Sequence, residues 1–218
     1  DLKKRVLITG HTGFKGAWLT YWLHSIGADV SGYSLAPDSS PNLYTLLDGD
    51  SLCSSHIGDI RDTSNLHRVI RDFRPEFLFH MAAQPLVRES YRDPVGTWAT
   101  NVMGTVHVLE ALRDIDFHCN VVIVTTDKVY ENCNWVYPYR ETDRLGGHDP
   151  YSASKACAEL VVSSYRDSFF SLNSHVHIAT ARAGNVIGGG DWAEERLIPD
   201  AVRAFHHGQP LLIRYPEA

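Results

Sequence analysis

Short runs of β-branched and aliphatic residues alternate along this chain with longer stretches whose apolar positions recur every three or four residues. The runs Arg5–Gly10, Asp29–Ser34, Phe77–Met81, Asn120–Thr126 and His175–Arg182 predict strands. The stretches Phe14–Gly27, Asp62–Phe73, Pro94–Arg113 and Tyr151–Phe170 predict helices, with Asp62 as an N-cap. In Phe14–Gly27 the large residues Trp18, Tyr21, Trp22 and Ile26 fall at helical spacing and mark the apolar stripe of an amphipathic helix. Val121–Val124 is apolar without alternation, as a strand covered on both faces must be. Strands alternating with helices imply right-handed crossovers and therefore an α/β chain, a doubly wound parallel sheet. Two stretches break the rhythm. Glu131–Pro150 is long and polar, and Gly184–Glu195 is rich in glycine and charge. Loops of this kind beside strand ends are where such folds place their chemistry.

Composition narrows the classes. The 218 residues carry a net charge of −6 and 44% apolar residues, with no basic run that would mark a nucleic-acid footprint. Apolar runs are strand-length, too short to span a membrane. The segment from Asp1 to Val6 leads directly into a strand, which leaves no room for a leader peptide. Cys53, Cys119, Cys133 and Cys157 form no C-x-x-C pair and read as reduced thiols, consistent with a cytoplasmic protein. The 12 histidines are dispersed, and His206-His207, adjacent on a helix, does not form a metal site; no metal is expected.

The first chemical signal is Gly10-His11-Thr12-Gly13-Phe14-Lys15-Gly16, between the first strand and the first helix. Glycines here permit a tight turn and a close approach of backbone to a pyrophosphate, which the helix N-terminus then attracts. The ribose partner in such loops is an acid at the end of the second strand. Here that position reads Gly32-Tyr33-Ser34-Leu35, with Asp38 already in the loop and no arginine nearby, so these residues leave NAD and NADP both open. In Gly58-Asp59-Ile60-Arg61-Asp62, Asp59 is either an adenine acceptor or a plain helix-entry acid.

The second signal is Tyr151-Ser152-Ala153-Ser154-Lys155 at the start of a helix. Residues four apart share a face. An ammonium one turn from a phenol, together with a positive nicotinamide ring, favours the phenolate, which can then accept a proton from a sugar hydroxyl.

Together with His80-Met81-Ala82-Ala83-Gln84, Asn101 and Thr126 at a strand end, these motifs resemble the extended short-chain dehydrogenase/reductase family, in its nucleotide-sugar branch, over essentially the whole chain. The resemblance implies a Rossmann sheet of about seven strands over residues 1–183. It also implies a smaller nucleotide-sugar lobe that begins at residues 184–218 and is incomplete here. It implies bound NAD, held by Gly10, Thr12, Gly13, Phe14, Lys15, Gly16, Ser34, Asp59, Ile60, Ala82, Ala83, Gln84, Asn101, Thr125, Tyr151 and Lys155. Asn101 is usually structural in that family. The redox triad is Thr126, Tyr151 and Lys155. Epimerases of the family carry no acid–base pair after the threonine, whereas the 4,6-dehydratases do. Asp127-Lys128 is similar to the pair in dehydratases acting on CDP-glucose. So are the stretches Gly10–Trp18, His80–Arg88, Arg182–Trp192 and Leu197–Asp200. The substrate set implied is Gln84, Arg88, Thr126, Asn185, Leu197 and Ile198, with Asp127 as a buried acid and Lys128 as a neutral base. Lys128 paired with an acid such as Glu141, with no proton transfer, is the competing reading. The family implies a homodimer or tetramer built on helices Pro94–Arg113 and Tyr151–Phe170. A different nucleotide, an epimerase, or a non-catalytic NAD-binding module are the alternatives.

Overall fold

In the computed structural model, which describes residues 3–170 and 175–213, the strand β1 (Arg5–Thr9) buries Val6, Leu7 and Ile8 on two sides at once. Leu7 enters one core, and Val6 and Ile8 enter another. The alternation of side chains along a strand produces this division, and it requires helices on both faces. Helix α1 (Phe14–Ser25) covers one face, with Leu19 and Leu23 packed against Val6 and Ile8.

The chain continues through β2 (Asp29–Ser34), two single-turn helices α2 (Leu43–Leu46) and α3 (Gly49–Leu52), β3 (Ser54–Ile57) and α4 (Thr63–Phe73). Asp62 caps α4 by accepting from the Asn65 amide at 3.2 Å, as its position predicts. Next come β4 (Phe77–His80), α5 (Val87–Arg92), α6 (Pro94–Trp98), α7 (Gly104–Arg113), β5 (Cys119–Val124), α8 (Pro150–Ser168), β6 (Val176–Ala181) and α9 (Leu197–His206). Leu66, Val69 and Ile70 of α4 join Val108, Leu109 and Leu112 of α7 and Val162 of α8 in the larger core. Burial of each such side chain contributes about 1.5–3 kcal/mol before the entropy of ordering is subtracted.

Among the described residues the sheet has six parallel strands in the order β3-β2-β1-β4-β5-β6. This is the doubly wound arrangement expected, with one strand fewer than the family resemblance implied. Residues 209–213 form no strand, and residues 214–218, where the expected strand would have continued, lie outside the described residues. The direction of winding reverses between β1 and β4, and ligands of such sheets bind outside the strand carboxyl ends at that point.

Two predicted elements differ in their particulars. The long helix over residues 94–113 is interrupted at Ala99–Met103 by a π turn, whose extra residue turns Asn101 inward. In α1 the large residues do not face the core: Trp18, Tyr21, Trp22 and Ile26 are all exposed, Trp22 by 61%. The buried positions are Gly16, Ala17 and Thr20. Small residues let the helix approach the β1 turn so closely that a side chain at Gly16 would overlap the Gly10 carbonyl.

Candidate active site

The turn after β1 shapes the site. Gly10 adopts φ +80, and a Cβ there would lie 2.7 Å from the Ala82 amide. Only glycine lets this backbone pass the β4 end without strain. No side chain caps α1, and Gly13, Phe14, Lys15 and Gly16 line a groove of about 830 Å³. Ser34, Asp59, Ile60, Ala82, Ala83, Thr125, Tyr151 and Lys155 line the same groove. Thr12 also lines it, donating to the Leu35 carbonyl (2.8 Å) and sharing a 2.8 Å hydrogen bond with Ser34. The uncapped helix end and the bare glycine backbone fit a dinucleotide pyrophosphate.

Helix α8 supplies the second half of the groove. It starts at Asp149-Pro150, where Asp149 accepts from the Ser152 amide (2.9 Å) and hydroxyl (2.6 Å) and proline occupies the first turn. One turn of helix then separates Tyr151 from Lys155. Lys155 is buried and donates to the Val124 carbonyl at 2.9 Å. Burial, with Lys15 adding repulsion, lowers its pKa to about 8, against the opposing pull of Glu159. Burial raises the Tyr151 phenol, while the Thr126 hydroxyl and Arg196 pull it down. Asp127 and Asp149 add to the effect of burial, so that on balance the phenol lies above its usual range.

Strand β5 delivers the third group. Past its end, Asp127–Val129 forms a single 3₁₀ turn capped by Thr126. Thr126 donates to Asp127 Oδ1 at 3.1 Å, and Lys128 Nζ lies 3.4 Å from the same oxygen and 3.3 Å from Asn185 Oδ1. The expected burial of this pair is absent: the side chains of Lys128 and Asp127 are 41% and 54% exposed. Among the described residues the acid paired with Lys128 is Asp127, and the Glu141 backbone carbonyl accepts from Arg182.

With the geometry in view, comparison with known proteins decides the family. A family model described as GDP-mannose 4,6 dehydratase matches residues 7–215. The chain belongs to this family. It is 54% identical over 217 residues to a CDP-glucose 4,6-dehydratase of Salmonella typhimurium, a match covering 98% of this chain and 60% of that protein. The chain thus spans about three fifths of the length of this relative. Among solved structures it resembles a dTDP-glucose 4,6-dehydratase from Streptomyces venezuelae with NAD bound, at 28% identity and a TM-score of 0.83 over 95% of this chain and 63% of that one. A UDP-glucose 4-epimerase from Thermus thermophilus in complex with NAD gives 29% identity and a TM-score of 0.80 over 94% and 64%.

The other predicted site residues make the following contacts within the protein. Gln84 does not line the groove: its amide donates to the Leu86 carbonyl (3.1 Å) and the Thr97 hydroxyl (2.9 Å) and accepts from the Leu86 amide. Asn101 also lies off the groove. It accepts from the Gln84 amide (2.8 Å) and donates to the Gln84 carbonyl (3.1 Å) and Ser154 Oγ (2.9 Å), fixing the backbone after β4 to α8. Asp59 is held by Arg61, with contacts of 2.6–3.0 Å, which keeps its carboxyl below the usual range. Thr125 reaches the groove but turns its hydroxyl to Glu159 at 2.5 Å. Arg88 forms an ion pair with Glu195 at 2.9 Å. Asn185 is exposed beside Lys128, and Leu197 and Ile198 are exposed at the start of α9.

Sequence reading missed Arg196, which lines the groove and pairs with Asp191 at 2.8 Å; no motif marks it. It also missed Glu159, although its spacing four residues beyond Lys155 was a usable signal. Among the described residues no helix is long and apolar enough to cross a membrane, and no group of His, Cys, Asp and Glu could hold a metal. The four cysteines are unpaired with one another.

Proposed function

We propose that the protein is a CDP-glucose 4,6-dehydratase that uses NAD and releases CDP-4-keto-6-deoxyglucose. One observation carries the reading: an acid–base pair, Asp127-Lys128, leaves the β5 end beside the Tyr151–Lys155 redox pair, where a 4-epimerase would need only the redox pair. The 54% identity to a CDP-glucose enzyme favours the cytidine nucleotide. Gly13, Lys15, Ser34, Tyr151 and Lys155, which line the groove, would hold NAD along the α1 N-terminus, and it would supply the reversible hydride acceptor.

Tyr151 takes the C4 hydroxyl proton, with the C4 hydride going to NAD when it is bound, and Thr126 hydrogen-bonds that oxygen. Lys155 stays cationic beside the phenol and favours its ionised form. The resulting ketone acidifies the C5 hydrogen. Lys128 removes that proton while Asp127 protonates the departing C6 hydroxyl, so one water is lost across C5–C6. With NAD bound, the hydride taken from C4 would be returned to C6, and a proton to C5 would complete the keto-deoxy product.

Elimination needs a neutral amine and a protonated carboxyl. A proton passed from Lys128 Nζ to Asp127 Oδ1 across their 3.4 Å contact creates both at once. Water stabilises the charged pair, and covering the site with substrate favours the neutral one. Exposed apolar residues on the helices of residues 94–113 and 150–168 (Val95, Met103, Leu160) support the homodimer; a monomer by sedimentation at micromolar concentration refutes that assembly. For the reaction, the full-length protein is incubated with CDP-, UDP- and dTDP-glucose. The keto-deoxy product from CDP-glucose alone supports the proposal; product from another nucleotide, or an epimer, overturns it.

A further inference from the structure

Behind the redox pair lies a buried ion pair that the mechanism above does not use. Glu159 follows Lys155 by four residues and Tyr151 by eight on α8, so the three share one face. Its carboxylate accepts from Arg182 Nε (3.0 Å) and Nη2 (3.1 Å) and from the Thr125 hydroxyl (2.5 Å). The side chains of Arg182 and Glu159 are only 16% and 5% exposed. Burial opposes the Glu159 charge, but Arg182 and the Thr125 and Thr180 hydroxyls outweigh it and hold the carboxyl below its usual range.

The pair reaches three parts of the site. Through Thr125 it grips the residue before Thr126, whose strand end is also pinned by Thr125 N to Ala181 O (2.8 Å) and Asp127 N to Ala183 O (2.9 Å). Through its own charge, Glu159 counters the burial and the Lys15 repulsion that push a proton off Lys155. Through Arg182 it extends to the loop of residues 131–149: Nη1 donates to the Glu141 carbonyl at 3.0 Å, and the guanidinium lies 4.9 Å from the Tyr130 ring, which stacks on Tyr139. A buried pair with complete bidentate hydrogen bonding is weak evidence for stability but good evidence of a fixed geometry.

We propose that Glu159 and Arg182 are positioning residues for the reaction, Glu159 fixing Thr126 and Lys155 and Arg182 tying the loop that follows Tyr130 to the same anchor. This rests on the dehydratase reading for its kinetic part and on geometry alone for the loop. Lys155 is faced by Lys15 of α1, His80 of β4 and Glu159 of its own helix, and among the described residues Glu159 supplies the counter-charge.

In the full-length holoenzyme, Glu159→Gln is expected to lower kcat about 10- to 100-fold with KM changed less than about threefold. Loss of the carboxylate lets Lys155 deprotonate at lower pH, so the alkaline limb of kcat/KM moves down by about one pH unit, and Glu159→Asp restores most of both. A fall in kcat with an unmoved alkaline limb overturns the role of Glu159. Without substrate, Arg182→Lys is expected to speed hydrogen exchange at the Glu131 and Gly146 amides, which bond Arg144 and Val129, at least about tenfold, with Leu7 and Ile8 unchanged. Unchanged loop exchange, or acceleration that extends to β1, overturns the role of Arg182. Should Glu159→Gln not fold, the pair Glu159→Gln/Arg182→Met, which buries no unpaired charge, meets the same criteria. If the unaltered enzyme fails to convert CDP-glucose, the dehydratase reading falls while the exchange result still decides the anchor.

Discussion

The residues proposed for oxidation and those proposed for elimination are built into the fold differently. Lys155 and Thr126 are buried, and Lys155, Tyr151 and Thr126 stand on a helix and strand end cross-linked by Glu159, Arg182, Asn101 and Ser154. Asp127 and Lys128 project from a single 3₁₀ turn, and each is more than two fifths exposed. The groups proposed for oxidation are held in place by hydrogen bonds among the described residues. The groups proposed for elimination stand open to solvent.

The largest effect is expected among the groups proposed for oxidation. Tyr151→Phe removes the proton acceptor and lowers kcat about 10³-fold with the fold intact by circular dichroism; loss below tenfold would place the base elsewhere. Lys128→Met is expected to separate the two sets. C5 exchange with solvent deuterium drops about 10²-fold, while C4 oxidation, read from the reduced nicotinamide absorbance, persists. If both fail together, the contrast between the two sets is false.

A pH effect follows from groups buried neutral. Burial lowers His80 to about 3, with Lys155 adding to it, and His11 to about 4, with His56 adding to it. Both folded values lie below the unfolded one, so the unfolded chain binds more protons between them. Stability is therefore full above about pH 6.5 and falls with pH toward 4. Urea unfolding is expected to show about 2–3 kcal/mol less stability at pH 5.5 than at 7.5; a flat profile would contradict their burial. Smallest is Trp22→Ser on the exposed face of α1, expected to change stability by less than about 0.5 kcal/mol. A large loss would mean that face is covered.

Much of this was legible in the sequence where local rules and tertiary structure agree. The apolar strands, the glycine turn and the Asp62 cap follow from constraints acting within a few residues. The α1 stripe misled because large residues at helical spacing normally mark the buried face. Here a close backbone approach at Gly10 and Gly16 required the small face instead. Asn101 and Gln84 matched a motif, but whether they touch ligand or each other depends on a π turn that periodicity does not reveal. The exposure of Lys128 depends on what surrounds the 3₁₀ turn, which no local pattern encodes.

One measurement tests the central claim that this site joins oxidation to elimination. CDP-glucose deuterated at C4 is turned over by the full-length protein in ordinary water. The account predicts deuterium in the C6 methyl group of a 4-keto-6-deoxy product. Deuterium returned to C4 with inverted configuration, and an intact C6 hydroxyl, would contradict it.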